Sequence, residues 1–269
     1  MNPSMHRTLR TYAVSARMSI RRNLQYRGQH MINNFASAVF GFMYIAIWRA
    51  VTVSRPPIEG YDSQTLTYYI ALCQCVLWIT TFDRSGVQIA QRIRDGSAGI
   101  DLMRPLGLMG LHMSQIYGVR LYNFAFRSLP MAMIFGAAVG LPLPGGGAPR
   151  LLLIIPAWLL AMHVGATLNY LIGLAGFWTV ETGWLYLSLQ TLILMMGGCS
   201  LPLELMPAGM RAVAAVLPFA CCGYYPVSLY LGRGGVEVLL IMFAWAAALS
   251  GLAAWLTARA RLRAEVVGG

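Results

Sequence analysis

Lysine is missing altogether: all 20 basic residues of the 269-residue chain are arginine. Without lysine there is no P-loop lysine to reach a nucleotide's phosphates, so the chain carries no Walker-type ATPase of its own. Schiff-base chemistry is excluded for the same reason. Charge of either sign is scarce, at 11% of residues, against about 25% in soluble domains. With 58% hydrophobic residues and a mean hydropathy of +0.60, the composition is that of an integral membrane protein with several spans. The nine acidic residues are dispersed, and no Ser-His-Asp spacing accompanies them. Convergent polar residues for an intramembrane enzyme are therefore lacking.

The five cysteines form no framework. Cys73 and Cys75 are two apart on a predicted helix and point to different faces. Cys199, Cys221 and Cys222 fall together near one predicted surface, where a disulfide and free buried thiols are both open. His6, His30, His112 and His163 show no metal-ligand spacing. The first 30 residues are polar and arginine-rich, with no early apolar core before a cleavage site, so no signal peptide is expected. The net charge of +11 would point to nucleic acid only if the arginines formed a soluble patch. They flank apolar segments instead, which makes anionic lipid headgroups the expected partner and nucleic acid not.

Along the chain, Met5, Leu9, Tyr12, Ala16, Ile20 and Leu24 recur at helical spacing, with Arg7, Arg10, Arg17 and Arg21 opposite. Residues 1–30 are read as an amphipathic helix in the membrane interface; a soluble partner-binding helix is the alternative. Six apolar segments follow, each near the roughly 20 residues that cross a bilayer. They are Asn33–Val53, Thr65–Phe82, Ser114–Gly140, Leu151–Phe177, Gly183–Gly198 and Val236–Leu256. The fifth is short unless Trp178–Thr182 contributes. Arg55-Pro56-Pro57 closes the first, and Leu141–Gly147 is a tight turn after the third.

Residues 200–226 are apolar but broken by Pro202, Pro207, Pro218 and Pro226. A single span there would have to absorb several lost backbone hydrogen bonds in lipid. A re-entrant hairpin of short helices before the sixth span is expected, with a seventh span as the alternative. Arginine counting sets the orientation. With the N-terminus inside, the N-terminal helix, the segment after the second span and the C-terminal tail hold 13 arginines. The outer segments hold Arg55, Arg150, Arg211 and Arg233. Both termini and residues 86–112 are then cytoplasmic.

Residues 86–112 are the least membrane-like stretch between spans. Val87–Arg94 is predicted to make two helical turns, with Ile89 and Ile93 stacked at i,i+4 and Arg92 and Arg94 beside them. Asp95-Gly96 ends that helix by turn chemistry, and Pro105 stops the short element that follows. From residues alone, a docking surface and a solvated connector are equally open.

Here the chain resembles a known family. Ile93, Gly96, Asp101, Leu102, Arg104, Pro105 and Leu106 resemble the pattern I-x-x-G-x-x-x-x-L-x-R-P-L of permease subunits in bacterial ABC-2-type export transporters, with one residue more between Gly96 and Leu102 than the pattern has. The prolines from Leu201-Pro202-Leu203 to Tyr225-Pro226 resemble that family's outer hairpin before the last span. The resemblance covers nearly the whole chain. It implies one all-α polytopic transmembrane domain over residues 1–269, with six transmembrane helices, an N-terminal interfacial helix, a cytoplasmic coupling helix between spans 2 and 3, and the outer re-entrant hairpin.

It further implies a permease exporting a hydrophobic or amphipathic cargo from the bacterial cytoplasm. ATP and magnesium would be bound by a separate ATPase subunit, and the permease would pair with a second copy or a related subunit. Ile89, Arg92, Ile93, Arg94, Asp101, Arg104 and Pro105 would couple to the ATPase, with Arg104 facing Asp101. Spans 2 and 5 would line the path between subunits, through the faces Tyr69, Cys73, Val76, Thr80 and Leu187, Gln190, Leu194. An ATP-independent secondary transporter or channel is the alternative.

Two arginines sit inside the third span. Arg120 is expected to reach the cytoplasmic interface, and Arg127, two turns deeper, to pair with Glu181 or with a helix-end carbonyl. Ala157, Ala161, Gly165, Asn169 and Gly173 recur every fourth residue, a stripe that lets another helix approach closely, within the subunit or at a dimer contact. The 16 methionines fit an adaptable apolar cavity and a plain membrane core equally well.

Overall fold

The computed structural model describes residues 3–25, 27–53, 55–97, 107–144, 147–179 and 181–267. Among them the chain is helical and contains no strand. Four helical runs are long and apolar enough to cross a membrane. The first lies in α2 (Arg27–Thr52), after the amphipathic α1 (Pro3–Leu24). The second joins α3 (Ser63–Thr80) and α4 (Ser85–Arg94) across a short break. The third lies in α7 (Gly147–Ala175) and the fourth in α11 (Val236–Val267). α8 (Gly183–Met196) is apolar but only 14 residues long, about 21 Å at 1.5 Å per residue. Trp178, Thr179, Glu181 and Thr182 lie outside it and do not extend it.

Between α4 and α7 the chain runs as α5 (Leu108–Asn123), a π-helical turn (Phe124–Ser128) and α6 (Leu129–Val139). The π-turn has a local cause. Pro130 has no N–H to give to the carbonyl four residues earlier, at Phe126. That carbonyl accepts from Asn34 Nδ2 of α2 at 2.8 Å instead, and Ser128 Oγ donates to the Cys75 carbonyl of α3 at 2.6 Å. Neighbouring helices thus satisfy what the proline leaves open.

α3 is the central helix: 83% of its run's most apolar window is buried, against 22% for α2 and for α11. It opens on Asp62, whose side chain accepts the Thr65 N–H at 2.7 Å, a standard N-cap. Tyr69, Ile70, Cys73 and Val76 join Met131 and Phe135 of α6 in the main core. A second core lies toward the α1 end, where Ile89 meets Met113, Ile116, Tyr170 and Leu174.

The small-residue stripe of α7 works inside the subunit. A β-carbon on Gly165 would overlap the Thr80 carbonyl of α3, and one on Gly173 would come within 2.9 Å of Ile89 Cβ. α1 lies along α5 by a similar device, since a β-carbon on Gly118 would overlap the backbone of Ala16, and one on Gly110 would meet the Tyr12 ring. The apolar stripe read in α1 is therefore divided. Tyr12, Ala16 and Ile20 are half-buried, while Leu9 and Leu24 are exposed.

No single helix runs through residues 200–226. A 3-10 turn (Leu203–Leu205), α9 (Ala208–Val216), a second 3-10 turn (Pro218–Cys222) and α10 (Tyr224–Tyr230) replace it, with Pro207 and Pro218 at the joints. Leu203, Ala214, Cys222 and Val227 are buried in the main core. All five cysteines are free and buried.

Candidate functional site

A cleft of about 980 Å³ opens between α2, α3 and α8, closed at its lower end by α1, α4 and α5. Its wall is apolar, with Phe40 and Tyr44 from α2, Leu77 and Trp78 from α3 and Leu194 from α8, and Trp78 with Phe82 beside it carries that wall down to Arg127. Its α1 end is polar and basic, with Arg22, Arg84 and Arg127 beside His30, Asn33 and Asn123. Phe40 stands ten residues above His30 on α2, about 15 Å along a helix axis, so the cleft is graded from basic to apolar. Sites for small molecules are commonly concave and mostly apolar with a few convergent polar groups.

The face of α3 that lines the cleft is not the one expected from the resemblance. Tyr69, Cys73, Val76 and Thr80 are at most 1% exposed and point into the chain's own core. Tyr69 donates to the Gly198 carbonyl at 2.7 Å, and Thr80 to the Val76 carbonyl at 3.0 Å. Gln74, Leu77 and Trp78, the neighbouring helical face, line the cleft instead. On α8, Leu194 lines it, Leu187 is 58% exposed, and Gln190 donates to the Tyr186 hydroxyl at 2.8 Å.

Arg127 does not pair with Glu181. Its Nη2 meets Nδ1 of His30, and its guanidinium lies 4.0 Å from the centre of the Trp78 ring, a cation–π contact. Glu181 is bound elsewhere, in the connector between α7 and α8. It accepts the Gly183 N–H at 2.8 Å and lies 3.4 Å from Arg94 Nη1. The Gly183 bond first, and the Arg94 charge after it, hold this carboxyl below its usual range. As an exposed pair it contributes little to stability.

Arg120 is also placed differently. It is fully buried within the protein and points into the bundle, not outward. Its Nη1 donates to the Ile79 carbonyl, and its Nε lies 3.9 Å from Asp83 Oδ2. Asp83 is 5% exposed and stands in the break between α3 and α4. Its Oδ1 accepts from both Ser85 N, at 3.0 Å, and Ser85 Oγ, at 2.6 Å. Asn169 of α7 completes the clasp: its Nδ2 donates to the Asp83 carbonyl at 2.8 Å, and its Oδ1 accepts the Gly86 N–H at 3.1 Å. The first turn of α4 is thereby tied to α3, α5 and α7 through buried polar groups. Asp83 carried no motif in the sequence, and Asn169 was read only as a member of the small-residue stripe; an acid just past an apolar run, together with the intramembrane Arg120, was the available signal.

α4 itself is amphipathic. Ile89 is 6% exposed and Ile93 is half-buried, both against the second core. Its exposed positions are Gln88, Gln91 and Arg94, continuing into Asp95, while Arg92 is half-buried. A partner resting on α4 meets that polar row, because Ile89 is already taken up within the chain. The Ser97 N–H caps Asp95 at 3.0 Å, and hydrogen bonds from Ser97 hold the Asp95 carboxyl below its usual range. Asp101, Arg104 and Pro105 lie outside the described residues.

At the other end of the bundle, Glu204 gathers a second clasp. It accepts from Tyr224 at 2.5 Å and Tyr61 at 3.2 Å, with Arg233 at 4.0 Å. Arg233 also stacks 3.7 Å from the centre of the Tyr61 ring and donates to the Gly60 carbonyl at 2.5 Å. Burial and the neighbouring carboxylate push both tyrosine hydroxyls well above their ordinary range.

A family model described as ABC-2 family transporter protein matches residues 38–263. No curated protein and no solved structure matches the chain.

Proposed function

Because the chain belongs to the ABC-2 family of transporter proteins, we propose that it is the permease subunit of an ATP-driven exporter. It is a multi-pass membrane protein, and in this reading it spans the bacterial cytoplasmic membrane six times with both termini inside. The α5–π–α6 run and α8 supply the two spans beyond the four long apolar helices. A hydrophobic or amphipathic cargo enters the cleft between α2, α3 and α8. A separate ATPase subunit binds ATP and magnesium and docks on α4 and the loop after it. Two permease copies meet around the path. ATP drives the cycle by favouring one of the permease's alternating states over the other.

One observation carries the coupling part of this reading: α4 is amphipathic, presents a polar outer face, and is rooted in the bundle by Asp83, Asn169 and Arg120. A push on the exposed row is then transmitted to α3, α5 and α7 together, since buried polar networks of this kind resist being opened. Charge reversal at the exposed row tests it. Gln91→Glu with Arg94→Glu should reduce co-purification of the ATPase at least tenfold, and cargo export with it, while the chain still inserts in the membrane. Full association with full export would remove α4 as the docking element. Export by the chain alone, driven by an ion gradient, would overturn the ATP-driven reading.

A further inference from the structure

Among the described residues, the basic end of the cleft holds a buried arginine that no carboxylate faces. A guanidinium has no acceptor atom, so the contact between Arg127 Nη2 and His30 Nδ1 makes Nδ1 the accepting nitrogen. His30 is then the neutral tautomer with its proton on Nε2. His30 also interacts with the Asn23 backbone, whereas Nε of Arg127 is buried without a hydrogen-bond partner. Arg127 is 7% exposed, and among the described residues no carboxylate pairs with it. The one acid lining the cleft, Asp83, is engaged by Ser85 and Arg120. Arg22 and Arg84 add positive charge to the same end. An arginine held in a membrane protein without a counter-charge is costly, and such residues mark ligand paths. An oxyanion would balance this charge, and beside it the wall is aromatic and aliphatic.

We propose that the cleft binds an anionic amphiphile: one carboxylate, sulfate or phosphate on an apolar body. The oxyanion sits at the basic end, beside the Arg127 guanidinium with Arg22 and Arg84, and the body lies against Phe40, Tyr44, Leu77 and Trp78. Charge-assisted bonds of this type are the strong ones, so the neutral ester of the same molecule is rejected. This deepens the transport reading by naming its substrate class, and it relies on that reading for the route alone. Two sources share the chemistry, a single-chain cargo and an acidic phospholipid of the bilayer.

The test uses the full chain in phosphatidylcholine nanodiscs, with a diazirine-bearing palmitate as photoprobe and adducts mapped by mass spectrometry. Adducts are expected on the segments carrying Phe40, Tyr44 and Trp78. Palmitate should compete for them and methyl palmitate should not. Arg127→Gln should cut the adduct yield at least tenfold. Ser37→Asp, which puts a carboxylate on the cleft wall away from Arg127's own contacts, should do the same, so the test survives if one variant fails to fold. Equal competition by the ester overturns the proposal, as does unchanged labelling in a folded variant, or labelling confined to exposed lipid-facing residues such as Phe35. Doping the nanodiscs with phosphatidylglycerol separates the sources: blocked labelling assigns the seat to a bilayer lipid, and persistent labelling to a single-chain cargo. No ATPase is present, so failure here and failure of ATPase docking are read independently.

Discussion

Asp83 and Arg120 are an ion pair with few other resources. Asp83 Oδ2 and Arg120 Nε and Nη2 have no hydrogen-bond partner, so the two charges depend on each other across 3.9 Å. Removing one member of a buried pair leaves an uncompensated charge, at a cost of about 3–5 kcal/mol, whereas replacing both by neutral groups is often nearly neutral. Asp83→Asn should therefore lower the unfolding midpoint sharply, and Asp83→Asn with Arg120→Met should recover most of the loss. A thiol-reactive dye reads the midpoint, because all five cysteines are buried until the chain opens. A double variant as unstable as the single one would show that the pair is not what Asp83 contributes. Sequence placed Arg120 in the membrane but not its partner. Its guanidinium reaches α3 and the break after it, 37 positions earlier in the chain, and such a contact leaves no local pattern.

At the scale of elements, helix positions were legible and helix faces were not. The break at Asp95-Gly96 follows from turn chemistry, and Gly96 adopts φ 77°, a left-handed conformation glycine takes at no steric cost. The face that α3 turns to the cleft was marked only by Gln74. The rest of α3 is apolar or weakly polar all round because it is surrounded, and periodicity orients poorly a helix with a single amide beyond its first turn. The π-turn before Pro130 gives a prediction at this scale. Asn34→Ala should cost about 1 kcal/mol, because the Phe126 carbonyl loses its donor. In a Pro130→Ala background the restored N–H can reach that carbonyl, and the same change should cost almost nothing. A double-mutant cycle on thermal stability measures the difference. Additive effects would mean that Asn34 acts otherwise than as the substitute donor.

For the molecule as a whole, α2 and α11 leave most of their length exposed, as helices facing lipid or a second subunit would. Two polar clasps bracket the bundle, Asp83–Arg120–Asn169 toward the α1 end and Glu204–Tyr61–Arg233 toward the other. In the topology proposed from the arginine count, the first faces the cytoplasm. In a background lacking native cysteines, a cysteine introduced at Leu143, which is 87% exposed, should react with an impermeant reagent applied to intact cells. One at Arg92, or in the C-terminal tail, should react only after lysis. Labelling of the tail in intact cells would invert the topology and detach the docking proposal from α4.

The sequence by itself determined that this is a helical membrane protein, which stretches of it form the apolar helices though not where each begins and ends, and that it contains no lysine. Those properties follow from composition and from spacing within one turn, which any short window displays. Tertiary structure alone decided which sides of the helices meet. It turned Tyr69, Cys73, Val76 and Thr80 into core, sent Glu181 to Arg94, buried Arg120 on Asp83, and set Arg127 and His30 at the basic end of a cleft. In a chain apolar on nearly every face, packing depends on shape complementarity between distant segments. A few buried polar groups then settle the pairing, since each must find a partner that sequence proximity does not supply.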